Sequence, residues 1–502
     1  MSDVKSEESH LQQQERKIPM AGIENIEALT ADLFSGILRD NWSKQDTVGS
    51  NAHDKDDVGP KIDSFSVTKV DQGVLSNVYR VHLDYSISDQ DNKDKDDGQQ
   101  QQQQQEERTE SITSVSLPPS DWLVKFCRPE LGLSWMFRNE KIFYSRLAPT
   151  LMANAAAASN SEGGSSSSRC LPFTIPKFLS GSDQHIILQE VINIETYPLS
   201  GGCPPEKIDF LLKSLAAWHA ASWESELLQF HSSLDKNGHS ATEAAIEEER
   251  LVVTTGMGQR LPPLQKEGLF ITSWKDTISN MRLWDEQQSD RKLDAEFLDF
   301  ITNLCQRLVT LKLRDIHEKV HRHRVTCVHG DFHIANWLFP KATASTSGEE
   351  ERKPVLVDFA TTGYGNPLID LVFFIVVSTN DDVVSDSQLF LEQYYRHLIE
   401  CDPTLSSKIT LSTLHEWFPW ALLCQFMILV AYDGVCRDIA AAESDEQKRN
   451  QTLEHFCNVN RRMVLAIRSI DNWDAIISKL EPTTPAEQHE AREFCQNTPL
   501  VI

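Results

Sequence analysis

The chain carries ten cysteines but no Cys-x-x-Cys pair, and thiols scattered in this way read as reduced side chains in a cytosol. It is also short of positive charge. Its 48 Lys and Arg face 74 Asp and Glu, leaving a formal charge of −26. That excludes nucleic acid as a partner, because phosphate binding needs clustered Lys and Arg, and it disfavours an anionic membrane surface. The opening Met1-Ser-Asp-Val-Lys-Ser-Glu-Glu has no apolar signal region. The longest apolar stretch, residues 418–432, is about fifteen residues and contains Gln425. This is short for a membrane span and suits a core helix. The sixteen histidines form no metal-like cluster. These absences agree with a cytoplasmic location. With 502 residues and 40% hydrophobic content, the chain is large enough for two lobes plus excursions.

What is present is concentrated in one place. The run Val325-Thr-Cys-Val-His329-Gly-Asp331-Phe-His-Ile-Ala-Asn336-Trp-Leu-Phe339 is an apolar strand ending in a short polar loop. The loop offers one carboxylate and, five residues later, one carboxamide. A second apolar strand, Pro354-Val-Leu-Val-Asp358-Phe, delivers another carboxylate at its end. Two acids and an amide at strand ends are what phosphoryl transfer from a nucleotide requires. One acid orients the attacking hydroxyl, and the amide and second acid hold Mg2+ on the phosphates of ATP.

At these residues the chain resembles the aminoglycoside/choline phosphotransferase superfamily, with its protein-kinase-like fold. The protein-kinase pattern itself is absent: Gly330 stands where Arg would be, Asp358-Phe-Ala360 replaces Asp-Phe-Gly, and no Ala-Pro-Glu follows. Leu215-Ala-Ala-Trp-His219-Ala-Ala-Ser-Trp223 and Gly365-Asn-Pro-Leu-Ile-Asp370-Leu-Val-Phe-Phe374 are most similar to the ecdysteroid-kinase-like branch. The resemblance implies an α+β bilobal fold, a small antiparallel-sheet N-lobe and a larger, mostly helical C-lobe. It implies catalysis by Asp331 and metal binding by Asn336 and Asp358. It also implies that His329 braces its loop and that Asp370 is a buried carboxylate tying down the loop after Asp358, neither of them reacting.

The upstream half can be read from its residues. Lys125 lies inside the apolar strand Trp122-Leu-Val-Lys125-Phe-Cys127, and a buried ammonium is costly unless paired. Glu140 lies in a helix, residues 135–147, where Met136, Phe143, Tyr144 and Leu147 share its stripe. The two anomalies resolve each other if Lys125 pairs with Glu140, the kinase arrangement in which the lysine reaches the nucleotide phosphates. Residues 65–81 read as strand, turn, strand. Gly73 is the single glycine there, so Gly-x-Gly-x-x-Gly is absent, but backbone N–H groups near Ser76 and Asn77 can cap a phosphate. Ile186-Ile-Leu-Gln-Glu190 fits the strand leading into a hinge that would meet the adenine.

Composition predicts the boundaries. Residues 1–22 read as a disordered tail. Residues 23–195 read as an amphipathic helix (23–42) and the nucleotide-binding N-lobe, residues 196–480 as the helical C-lobe, and residues 481–502 as a C-terminal tail. Low-complexity insertions fall at 86–118, which holds seven consecutive glutamines, at 151–170 and at 341–353. Trp417, Trp420, Tyr432 and Asp433 follow the active-site strands, where the superfamily builds its acceptor pocket. The expected function is an ATP- and Mg2+-dependent kinase of a small-molecule alcohol, bulky and sterol-like. The alternatives are a choline- or aminoglycoside-type kinase and an inactive nucleotide-binding or interaction protein.

Overall fold

The computed structural model describes residues 34, 35, 37, 38, 61–70, 76–86, 120–127, 134–159, 171–182, 184–224, 263–287, 295–323, 325–341, 353–442 and 445–497. The chain divides into two compact units, Met1–Phe137 with Lys177–Glu190, and Arg138–Pro176 with Val191–Ile502.

The first unit is a five-stranded antiparallel sheet. Its strands are β1 (Lys61–Val70), β2 (Ser76–Ser86), β3 (Asp121–Cys127), β4 (Phe178–Gly181) and β5 (His185–Gln189), in the order β1-β2-β3-β5-β4. Strand alternation sorts its faces. Val81, Leu83, Trp122, Val124 and Phe126 are buried on one face with Ile62, Leu179 and Ile187. Phe34, Ile37 and Leu38, at helical spacing, close that core, with the Phe34 ring edge-on to Phe65 at 5.3 Å and to Trp122 at 5.4 Å. Arg80, His82 and Lys125 alternate to the other face, Lys125 paired in register with Val78 and Ile186.

The second unit is mostly helical. Its helices are α1 (Ser134–Ile142), α2 (Ala148–Ser159), α3 (Pro205–Ala221), α4 (Pro263–Gln287), α5 (Ala295–Leu308), α6 (Arg314–His321), α7 (Leu368–Ser378), α8 (Asp381–Ser385), α9 (Ser387–Cys401), α10 (Leu411–Ala442), α11 (Glu446–Arg468), α12 (Trp473–Ile477) and α13 (Pro485–Asn497). The first residues of α1 belong to the first unit. Short strands thread among the helices: β6 (Ile194–Glu195), β7 (Thr326–Val328), β8 (Trp337–Pro340), β9 (Val355–Leu356) and β10 (Gly363–Gly365), paired β6-β8-β9 and β10-β7. Helix α10 packs against α4, α7 and α11. Its segment Leu411–Gly434 is long and apolar enough to cross a membrane, but it is mostly buried inside the molecule. It is a core helix, longer than the fifteen apolar residues suggested. Sheet in one unit and helices in the other make the fold α+β, of the protein-kinase-like class.

Three expectations need revision. The N-lobe boundary at residue 195 does not match the compact units, because residues 138–176 cluster with the helical one. The physical reason is the π-helical turn Phe143–Leu147, which directs Phe143 and Tyr144 onto Phe359. Residues 151–159 of the expected insertion 151–170 are helical, continuing α2 through an alanine run of high helix propensity. Most of the expected C-terminal tail is the helix α13, which packs on α4 with Ala491 fully buried. Residues 1–22, 87–118 and 342–352 lie outside the described residues.

Candidate active site

Strand β7 is buried at all three positions and hands the chain to the polar loop at His329. The loop hangs on one carboxylate. Asp370, fully buried near the start of α7, accepts the backbone N–H of His329 at 2.7 Å and of Gly330 at 2.8 Å. His219 of α3 sits 3.2 Å from the same carboxylate and 2.7 Å from the Tyr394 hydroxyl of α9. Gly330 has φ +81°, which explains the glycine between His329 and Asp331. Burial pushes the His329 imidazole down, so it is neutral. Its Nε2 donates to the Val357 carbonyl at 3.0 Å, and its Nδ1 accepts the Asp331 N–H at 3.3 Å. His329 thereby ties the Asp331 loop to the strand that delivers Asp358.

Asp331 is 27% exposed, and His333 Nε2 lies 3.3 Å from its Oδ1. Burial pushes this carboxyl up. The charge of His333 and the hydrogen bonds from His333 and Asn336 outweigh burial and bring it to about 2. For His333, burial lowers the imidazole and Asp331 more than restores it. Asn336 Nδ2 donates to the Asp331 carbonyl at 2.8 Å and approaches the Asp331 carboxylate at 3.3 Å. Its amide nitrogen is thus turned inward, and among the described residues no hydrogen bond reaches its Oδ1. A hard carbonyl oxygen left in this way suits a magnesium ligand.

Asp358 follows β9 with φ +66°, a left-handed conformation that Asp tolerates better than most residues. The next residue is fixed from all sides. The Phe359 ring stacks on Phe143 at 3.9 Å and meets Tyr144 at 5.6 Å, Trp218 at 5.8 Å and His329 at 4.8 Å. Full burial of such a ring contributes about 2–3 kcal/mol, enough to hold the strained Asp358. Burial drives the Tyr144 hydroxyl well above its usual value, and the charges of Glu140 and Asp358 push it the same way. Asn139, beside Glu140 in α1, donates to the Ala360 carbonyl at 2.9 Å and the Thr362 carbonyl at 2.7 Å. Sequence reading passed over Asn139. Its burial, with the carboxamide 2% exposed in α1, is what reveals it.

Beside Asp331 opens a cavity of about 230 Å³. Ile369, Phe373 and Val377 of α7, Ile428, Leu429 and Tyr432 of α10, and Phe456 and Val459 of α11 make its walls apolar. Gly330, Asp331 and His333 form the loop side, and His455 lines it too. Burial, with Arg462 and His333 nearby, brings His455 down to about 4, so it is neutral at physiological pH. Tyr432 and Asp433 line the cavity as expected from sequence, but Trp417 and Trp420 do not. Trp417 stacks on His323 at 4.3 Å, and Trp420 lies under the Lys319 ammonium at 5.0 Å. Their place on α10 is about one to two turns before the cavity face, which begins at Gln425. Asp433 does not present a free charge. Arg437 Nε donates to it at 2.9 Å and Asn460 Nδ2 at 2.9 Å.

The first unit holds the remaining expected residues. Lys125 is half-buried in β3, its ammonium 5.7 Å from the Phe137 ring centre. Ser76 and Asn77 open β2, paired in register with Cys127 and Phe126. Gly73 lies outside the described residues. The Glu190 carboxylate is held by Arg80 at 2.6–2.7 Å, and its N–H donates to the Asp121 carbonyl at 3.0 Å. Both groups are therefore already engaged within the first unit. Glu140 is 1% exposed in α1 of the second unit.

A loop with an acid and an amide, followed by a strand delivering a second acid, defines a kinase-like small-molecule phosphotransferase. The chain belongs to the ecdysteroid kinase-like family, whose model matches residues 72–406, about two thirds of its length. Among solved structures it is similar to the choline kinase of Cryptosporidium parvum Iowa II, with 9% identity, a TM-score of 0.35, and 86% of this chain and 96% of that one covered. The macrolide 2'-phosphotransferase MphH of Brachybacterium faecium gives 12%, 0.30, 78% and 91%. The Plasmodium vivax ethanolamine kinase gives 9%, 0.33, 78% and 81%. No curated protein matches the chain.

Proposed function

We propose that this protein is a cytosolic kinase that uses ATP and Mg2+ to phosphorylate a hydroxyl of a small, largely apolar alcohol. The observation that carries this reading is that Asp331 lines an apolar cavity. A carboxylate lowered to about 2 is ionised at every physiological pH, so it can accept a hydrogen bond from the acceptor hydroxyl and orient its oxygen for attack. It is too weak a base to remove the proton early. Its contribution is positioning, with proton transfer late, as fits a loose phosphoryl-transfer transition state. Asn336 Oδ1 and Asp358 would hold Mg2+, which when bound neutralises charge on the phosphates. Lys125 is assigned to the phosphates, Glu140 to positioning Lys125, and the N–H groups at Gly73, Ser76 and Asn77 to capping.

The acceptor class follows from charge. Asp433, the cavity's carboxylate besides Asp331, is already matched by Arg437, so a polycation or a quaternary amine would find little to balance it. Apolar walls favour a bulky, sterol-like alcohol. The test is ATP consumption by the purified chain over a panel of sterols, apolar alcohols, choline, ethanolamine, sugars and aminoglycosides. Apolar alcohols should be turned over best. Preference for choline or aminoglycosides would refute the acceptor class, and no consumption with any alcohol would refute phosphotransfer.

A further inference from the structure

Helix α11 lines the cavity beside Asp331 with His455, Phe456, Val459 and Asn460, at the i, i+1, i+4, i+5 spacing of one helix face. Phe456 and Val459 are apolar wall. The Asn460 carboxamide donates to Asp433 at 2.9 Å, and Asp433 also takes the Arg437 guanidinium at 2.9 Å. Gln425 of α10 donates to the Ile369 carbonyl at 3.3 Å. These polar side chains of the wall are engaged within the protein. His455 is not. It is half-buried, and among the described residues no hydrogen bond reaches either ring nitrogen. Burial, with Arg462 and His333 nearby, holds it at about 4 and hence neutral, so it offers one N–H and one lone pair. A polar group set among apolar side chains costs free energy until a partner meets it, and Phe456 and Val459 offer none.

We propose that His455 is a specificity-determining residue that hydrogen-bonds a second hydroxyl of the acceptor, while Asp331 engages the one to be phosphorylated. The acceptor is then an apolar diol rather than a lone alcohol. This rests on the acceptor site proposed above. The two contacts come from different elements, Asp331 from the loop after β7 and His455 from α11. The frame between the two hydroxyls therefore has to match the gap between those elements, and the isomer that binds best reads that gap. A hydroxyl pairs with either tautomer of a neutral imidazole, so the match does not depend on which nitrogen holds the proton.

The test is an NMR titration of the full chain with Mg2+ and ADP present. The probes are the ortho, meta and para isomers of benzenedimethanol, each compared with the methylbenzyl alcohol that lacks its second hydroxyl. At least one diol should bind about tenfold more tightly than its own control, the worth of one good hydrogen bond and more than the factor of about two that symmetry alone supplies. His455→Phe and the smaller His455→Leu should each abolish that preference while still binding the controls, and His455→Gln, which keeps a donor and an acceptor, should restore part of it. A preference of about twofold or less in every pair, no binding of any probe, or a preference that survives in His455→Phe or His455→Leu would overturn the proposal. Replacing ADP with ATP separates it from the transfer reading. Discrimination without phosphorylation would leave the His455 inference standing and overturn phosphotransfer, and equal phosphorylation of diols and controls would do the reverse.

Discussion

Asp370 is the residue from which the catalytic loop is suspended. It accepts two backbone N–H groups of the loop and faces His219, and Asp370, His219 and His329 are all fully buried. Asp370→Ala strands those donors, and breaking a buried charged network costs about 3–5 kcal/mol. The denaturant midpoint should fall accordingly, and a change below about 1 kcal/mol would show that the loop is held by other contacts. The sequence made Asp370 legible as a brace but misplaced what it braces, expecting the loop after Asp358. Partners forty residues apart leave no periodic trace. His329 was legible for the opposite reason, since it sits within the motif it supports. Asn139 and His333 show the remaining gap. Their residue types are ordinary for a surface, and only burial and partners reveal what each one holds.

At the scale of elements, α4 and α13 approach each other closely at Gly268. A Cβ at Gly268 would meet the Ala491 carbonyl oxygen at 2.1 Å. Alanine is the better helix former by about 1 kcal/mol, but this contact is with backbone and cannot rotate away. Gly268→Ala should therefore destabilise by about 1–3 kcal/mol, with faster amide exchange across residues 485–497. A variant with raised melting temperature and unchanged exchange would show that α13 shifts freely. Helix α13 was not legible because its sequence is polar and its burial rests on small residues rather than an apolar stripe. The Ala run of α2 misled similarly, low complexity in composition but helix-forming in chemistry. In α10 the apolar period was legible, while the assignment of Trp417 and Trp420 to the pocket failed. A helix 32 residues long presents the same face to different neighbours at its two ends.

At the scale of the molecule, the alternation in β2 and β3 and the helical periods downstream made the α+β class legible, and the His-Gly-Asp…Asn and Asp358 motifs made the family legible. The net charge of −26 carried little about the acceptor, because charge sums over the whole surface whereas the cavity is decided by a few apolar walls and one compensated Asp433. The account's central claim is that Asp331 orients an acceptor hydroxyl for phosphoryl transfer. Its most direct test is Asp331→Asn, measuring nucleotide affinity and single-turnover phosphorylation of the best alcohol on the same preparation. Nucleotide affinity should stay near wild type while the transfer rate falls by about 10²- to 10⁴-fold. Transfer at the wild-type rate in Asp331→Asn would contradict the account.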